Sequence, residues 1–205
     1  MSGLNIKSDY TDYYDILNNK DSIITYNRFI SKCNQRGSDL KYLRSIGIKT
    51  IEIKQVNEFF RGDGPIVVYK NTKGHHGEGK EIMSVDEALR SYENYIASRY
   101  IASDSNINIK YLHIGKRRFN LYFKKKDKFS LDKGELIDIK ESEQAFNSLI
   151  GLPIFSIDYI SNDREMLATD FNSVENLQLL NFNKYMKSEE VVSEIIDALT
   201  VYNKI

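Results

Sequence analysis

Asp158, Asp170 and Asn172 are the side chains whose types and spacing best suit chemistry. They end two adjoining strand-like runs, Pro153-Ile-Phe-Ser-Ile-Asp158 and Met166-Leu-Ala-Thr-Asp170-Phe-Asn172. Side chains alternate faces along a strand, so Asp170 and Asn172 point the same way. A tight hairpin through Ser161-Asn-Asp-Arg164 would bring Asp158 alongside them. One or two carboxylates with a neighbouring amide oxygen is the supply that magnesium takes together with substrate phosphates and water. A surface hairpin with solvated acids explains the same three residues, so the rest of the chain has to decide.

A second candidate lies upstream. Gly74-His-His-Gly-Glu-Gly79-Lys80 fits the GxxxxGK part of a P-loop and follows the apolar strand Ile66-Val-Val-Tyr69. The next residue, Glu81, stands where a P-loop needs a hydroxyl, and a capping box of Ser84 with Glu87 delays the helix that should begin at once. A hairpin loop between antiparallel strands fits better, with Glu81-Ile-Met83 returning beside Ile66–Tyr69. Glycines in such a loop let backbone N–H groups approach phosphates closely. Lys70 ends the first strand and adds a cation. Adjacent His75 and His76 point differently and have no third metal ligand at suitable spacing, so a phosphate or substrate contact is the better reading. His113, on a strand, reads as a structural histidine. The runs Lys116-Arg-Arg118 and Lys124-Lys-Lys126 flank Phe119, Tyr122 and Phe123, a mix that suits single-stranded nucleic acid.

Composition argues against that last reading. Lys plus Arg total 29 and Asp plus Glu total 29, so the formal charge is zero and the broad attraction to polyphosphate backbones is missing. A lone Cys33 excludes an internal disulfide, the lack of CxxC or Cys/His arrays argues against structural zinc, and a reducing cytoplasm fits. No apolar run approaches the roughly 18 residues of a membrane span, which predicts no membrane role. With 41% hydrophobic residues in 205, one sizeable core or two small ones can form.

The elements that must position these residues read as follows. Asp9, Asp12 and Asp15 lie at intervals of three beside tyrosines, and Ile23-Ile-Thr-Tyr26 reads as a strand leading into a basic connection with Arg28, Lys32 and Arg36. Ser38 is a plausible cap for a helix with Leu40, Leu43 and Ile46 inward, stopped by Gly47 and followed by a strand Lys49–Ile53. Arg61-Gly-Asp-Gly-Pro65 is the clearest turn cluster and the candidate internal boundary. Val85, Ala88, Leu89, Tyr92 and Ile96 give the apolar face of a helix. Asn108 to Lys124 reads as a hairpin turning near Gly115, Leu136–Ile139 as a strand, and residues 141 to 150 as a short helix ending at Gly151. A final helix from Ser188 turns Val191, Val192, Ile195, Ile196 and Leu199 inward.

Taken in order, these pieces resemble the ATP-grasp superfamily of ATP-dependent carboxylate-amine ligases, in particular small divergent versions from bacteria and phages. The resemblance runs from about Ile66 to the C-terminus. Val67-Val-Tyr-Lys70 is similar to the strand that presents a basic residue to ATP, and Gly74 to Gly79 to the glycine-rich loop that closes over the phosphates. Asn108-Ile-Lys110 stands where many members have Glu-x-Arg, and Asp158 with Asp170-Phe-Asn172 resembles the acid and later Glu-x-Asn that hold magnesium. The resemblance implies an α+β fold of antiparallel sheets with packed helices, with residues 63–205 as nucleotide-binding domain and 1–62 as a reduced N-terminal α/β segment. It implies ATP and Mg2+ as cofactors. Lys70, Gly74, His76, Gly77 and Gly79 would contact the nucleotide, Asp158, Asp170 and Asn172 the metal, and Lys110 would be catalytic. The implied partners are a small-molecule or peptide carboxylate and an amine, with Asp9, Asp12, Tyr13, Arg28 and His76 as candidate substrate contacts. A chain short of half the usual cleft also invites a homodimer. The same scaffold would equally serve a noncatalytic interaction or accessory protein, phage-encoded or not.

Overall fold

The computed structural model describes residues 36–70, 79–102, 106–125, 134–146, 149, 152–161, 165–172 and 182–202. The Asp/Tyr-rich N-terminus, the strand expected at 23–26, Cys33, most of the glycine loop and the turn at 162–164 lie outside the described residues.

Helix α1, Arg36–Ser45, buries Leu40 and Leu43 three positions apart on one face. Gly47 ends it at φ +88°. Ile48 N donates to Leu43 O at 3.0 Å and Gly47 N to Arg44 O at 3.1 Å, the paired bonds of a Schellman stop, with Ile48 and Leu43 both buried. The strand expected at 49–53 is divided between two sheets. Thr50 bridges Ala168 in parallel, held by Ala168 N to Lys49 O at 2.9 Å and Ile51 N to Ala168 O at 3.0 Å. Ile53 then opens β1, Ile53–Gln55, in the other sheet.

That second sheet has four strands in the order β1-β4-β2-β3, all antiparallel, where β2 is Ile66–Tyr69, β3 is Lys80–Met83 and β4 is Ile96–Arg99. Every residue of β2 is buried, as expected for its uninterrupted apolar run. The Arg61–Pro65 cluster forms the turn before it, where Asp63 Oδ2 accepts from Phe60 N at 2.9 Å. β1 precedes this turn and pairs with β4 beyond it. Helix α2, Val85–Ser91, starts with the expected capping box, Glu87 N donating to Ser84 Oγ and Ser84 N to Glu87 Oε2. It is shorter than expected. Ile96 fits the helical period from Val85 but belongs to β4, because Tyr92 leaves helical geometry at φ −139° and the chain turns back into the sheet. Val56, Phe59, Ile66, Val68, Val85, Ala88 and Ala97 form this layer's own core.

The larger sheet has five antiparallel strands in the order β7-β6-β5-β8-β9. β5, Ile107–Ile114, and β6, Arg117–Lys124, make the expected hairpin around Gly115 at φ +56°. β7 is Glu135–Glu141, β8 is Ile154–Ser161 and β9 is Met166–Asn172. The helix expected at 141–150 is absent over 141–146, and Leu149 lies in a 3-10 turn with Leu149 N donating to Phe146 O at 2.9 Å. Glu141 ends β7 and Ser142–Phe146 is irregular, because Tyr111 Oη claims the Gln144 carbonyl at 3.0 Å and Phe146 packs edge-on against the Tyr111 ring at 4.9 Å. Helix α3, Ser188–Tyr202, turns Val191, Val192 and Ile195 into the main core, which also takes Leu40, Leu43, Leu112, Phe119, Ile154 and Phe182. Ile196, expected inward, is 38% exposed, since it lies one residue round from Ile195. No helix among the described residues is long and apolar enough to cross a membrane.

Candidate active site

The acidic hairpin forms. In the β8–β9 register Asp158 faces Asp170 and Ser156 faces Asn172, while β5 sets Lys110 opposite Asp158. Directly opposed residues share a sheet face, so Lys110, Ser156, Asp158, Asp170 and Asn172 project together. A bulge follows directly. Asp158 pairs with Asp170 but Tyr159 pairs with Ala168, leaving Thr169 as the extra residue. Ala168 thereby stays fully buried with Tyr159 on the opposite face, while Asp170 and Asn172 keep the face of Asp158. The Thr169 carbonyl, out of the ladder, accepts from Arg36 Nη1 at 2.8 Å, and Thr169 Oγ1 donates to Asp158 O at 3.2 Å.

Both carboxylates have side-chain cations. Lys110 Nζ lies 2.8 Å from Asp158 Oδ1 and donates to Ser156 Oγ at 3.0 Å, with its side chain only 2% exposed. Arg36 Nη2 lies 3.1 Å from Asp170 Oδ2. The Arg36 guanidinium also sits 5.2 Å from the centre of the Tyr69 ring, and the Tyr69 hydroxyl shares a 2.9 Å hydrogen bond with Ser98 Oγ. Burial holds the Asp170 carboxyl above the usual carboxylate range and the Asp158 charge pushes the same way; Arg36, Lys80 and Lys110 oppose the rise. Burial likewise raises the Tyr69 phenol, against the pull of Ser98 and Arg36.

The expected nucleotide contacts divide. Tyr69 reaches Ser98 and Arg36, so Lys70, one residue on, projects to the other side of the small sheet, where it pairs with Glu81 and lies 4.6 Å from the centre of the Tyr92 ring. Lys80, opposite Tyr69 in the β2–β3 register, is the small-sheet lysine whose charge is felt at Asp170. Gly79 adopts φ +70° and accepts from Lys70 N at 2.6 Å, closing the hairpin; Gly74, His76 and Gly77 lie outside the described residues. Lys80 opens an antiparallel strand and the next helix begins only at Val85, so the GxxxxGK match is not a P-loop. Sequence reasoning missed Arg36, Tyr69, Ser156 and Lys80 as site residues. Ser156 carried a signal, lying two positions before Asp158 on the same strand face. Arg36 carried none, since a buried contact across the fold has no local signature.

Among the described residues no three His, Cys, Asp or Glu side chains converge as a metal cluster. The donor set is two carboxylates with the half-buried Asn172 on the same face. That set suits magnesium, which completes its octahedron with phosphate and water oxygens, and it does not suit a closed protein cage.

The arrangement of two antiparallel sheets is similar to that of solved ATP-grasp ligases. A Chryseobacterium gregarium RiPP-associated ATP-grasp ligase, solved with ADP and a leader and core peptide, matches with TM-score 0.58 at 14% identity over 88% of this chain and 61% of the ligase. The ATP-grasp ligase PsnB, solved with precursor peptide PsnA2 and AMPPNP, matches with TM-score 0.57 at 11% identity over 85% of this chain and 60% of PsnB. The macrocyclase MdnC from Microcystis aeruginosa, bound to precursor peptide MdnA, gives TM-score 0.54 at 15% identity over 78% of this chain and 59% of the macrocyclase. The chain therefore spans about three fifths of these enzymes' length. No protein-family model and no curated protein sequence matches it. The chain has the ATP-grasp fold in a divergent form.

Proposed function

We propose that this chain is an ATP- and Mg2+-dependent ligase that activates a carboxylate for attack by an amine. The observation that carries the reading is the cross-strand pair Asp158 and Asp170, with Lys110 in register beside it, on a sheet face of an ATP-grasp fold. In this reading a substrate carboxylate oxygen attacks the γ-phosphorus of ATP, the bond to the bridging oxygen breaks and ADP leaves. The amine nitrogen then attacks the acyl carbon, and inorganic phosphate departs with the electron pair of the C–O bond. Such chemistry needs positioning and charge neutralisation more than a protein nucleophile. Lys110 is already fixed by Asp158 and Ser156, so its ammonium stabilises developing charge without reorganising. Asp158, Asp170 and Asn172 would hold Mg2+, which supplies Lewis acidity to the phosphate oxygens. Lys80 and the amides of the Gly74, His76, Gly77 and Gly79 loop would steady the phosphates, while Lys70 stays with Glu81 on the other side of the small sheet. Peptides bound to the similar ligases support a peptide as the source of the carboxylate or the amine, with a small molecule as the alternative.

A noncatalytic interaction protein is favoured by one specific observation, that Asp158 and Asp170 each already hold an ion pair. Thermal unfolding with and without Mg-ATP separates the readings. The ligase predicts stabilisation by Mg-ATP that weakens roughly tenfold in apparent affinity for Asp170→Ala, together with ADP release on adding a substrate peptide. No stabilisation by any nucleotide would sink it.

A further inference from the structure

Arg36 touches both sheets at once. Thr169 and Asp170, its hydrogen-bond and ion-pair partners, belong to β9 of the five-stranded sheet, and Tyr69, over whose ring it lies, belongs to β2 of the four-stranded sheet. The side chain is 7% exposed. Its contacts depend on a planar fork and a flat face, which a guanidinium has and an ammonium lacks. Two carboxylates thus stand against Arg36 and Lys110, with Lys80 adding a further positive charge from the small sheet. A bare divalent cation entering this set meets carboxylates that are already neutralised. A cation that arrives with polyphosphate brings its own negative charge.

We propose that Arg36 is a built-in competitor for the divalent cation at Asp170. It occupies Oδ2 of the carboxylate that the proposed metal site needs and straps that carboxylate to β2 of the other sheet. Metal loading loosens the Arg36–Asp170 bond, and the phosphates of the nucleotide take up the released guanidinium. Metal alone binds weakly as a result, and metal and nucleotide bind cooperatively, each raising the affinity for the other by the same factor. The inference rests on the reading of Asp158, Asp170 and Asn172 as metal ligands.

The test is a Mn2+ titration of the full chain without nucleotide, followed by the electron paramagnetic resonance signal of free Mn2+. Removing a cation in contact with a metal-ligating carboxylate is expected to tighten Mn2+ binding roughly tenfold in Arg36→Met, with Arg36→Lys falling between that variant and wild type because the charge remains while the fork on Thr169 and Asp170 and the face on Tyr69 are lost. Asp170→Asn should abolish the gain when combined with Arg36→Met. A purely structural arginine would leave Mn2+ affinity unchanged or lower it, and either result in folded Arg36→Met overturns the proposal, as does the absence of any Mn2+ binding. Should Arg36→Met not fold, Tyr69→Leu decides, since it withdraws the ring from the guanidinium without touching either acid. A several-fold tightening supports the competitor role and an unchanged affinity refutes it. The ligase reading fails separately. Tightened Mn2+ binding with no ATP binding in any variant removes the ligase and leaves the competition, whereas Mg-ATP stabilisation with unchanged Mn2+ affinity does the reverse.

Discussion

Cutting the Lys110–Asp158 pair from either side should have unequal consequences. At 2.8 Å and an effective dielectric constant of about 20, the gross attraction is about 6 kcal/mol. Most of it is offset by the desolvation of both ions, several kcal/mol each. What remains depends on which charge is left behind. Asp158→Asn takes the carboxylate from an ammonium whose side chain is 2% exposed and which lies 3.0 Å from Ser156 Oγ, and should cost about 3–5 kcal/mol. Lys110→Met leaves a carboxylate whose side chain is 30% exposed and can recruit water, while the thioether fills the buried stem's volume; about 1–3 kcal/mol is expected. The double variant should be more stable than the sum of the two losses predicts, by at least about 1–2 kcal/mol, because the second removal takes away a charge whose partner in this pair has already gone. Urea unfolding at neutral pH of the four proteins measures all three quantities. A Lys110→Met loss equal to or larger than that of Asp158→Asn would refute the argument that burial asymmetry governs the pair, and full additivity would show that the two charges are not energetically coupled.

Two further perturbations test other parts of the fold. His113, stacked on Phe155 with ring centres 4.6 Å apart, is pushed down to about 4 by burial and then by the charge of Arg118; among the described residues its buried Nε2 has no hydrogen-bond partner. With a folded pKa below the unfolded value, the unfolded chain binds the extra proton first. This stability term is complete above the unfolded pKa of about 6.5 and falls as pH drops from there towards about 4, by about 3 kcal/mol in total. His113→Phe, which keeps a ring against Phe155, should flatten that slope in urea unfolding measured across the window, and an unchanged slope counts against the assignment. At the β5–β6 turn, a Cβ on Gly115 would come within 2.5 Å of the Glu194 backbone oxygen, at φ +56°. Gly115→Ala should therefore lower stability by about 2 kcal/mol or more, whereas Gly37→Ala, inside α1 with nothing within 4 Å of its Cβ, should raise it by roughly 0.5–1 kcal/mol. Thermal denaturation that fails to order the two variants this way would contradict the turn geometry.

The contrast between Lys110 and Arg36 shows where sequence reasoning reaches and where it stops. Strand alternation, a local rule, placed Asp170 and Asn172 on one face, and the order of apolar runs placed Lys110 on a strand that turned out to lie beside the acids. The Thr169 bulge has no such rule behind it. It follows from Ala168 and Tyr159 having to share the buried opposite face, which only the paired sheet reveals. β4 escaped for a related reason: Ile96-Ala-Ser-Arg99 is too short to show alternation, Ile96 also fits the α2 period, and its identity as a strand comes from neighbours on both sides, β1 and β2. The first half of the helix expected at 141–150 fails where Tyr111 bonds Gln144, a contact made across 33 residues. The Arg36–Asp170 contact spans 134 residues, the farthest of these separations. Local pattern thus finds the carboxylates that would attract a metal, while the cation paired with one of them is set by tertiary packing alone. If the acids hold the metal as proposed, the affinity and order of loading there would depend on Arg36, a residue no spacing rule selects.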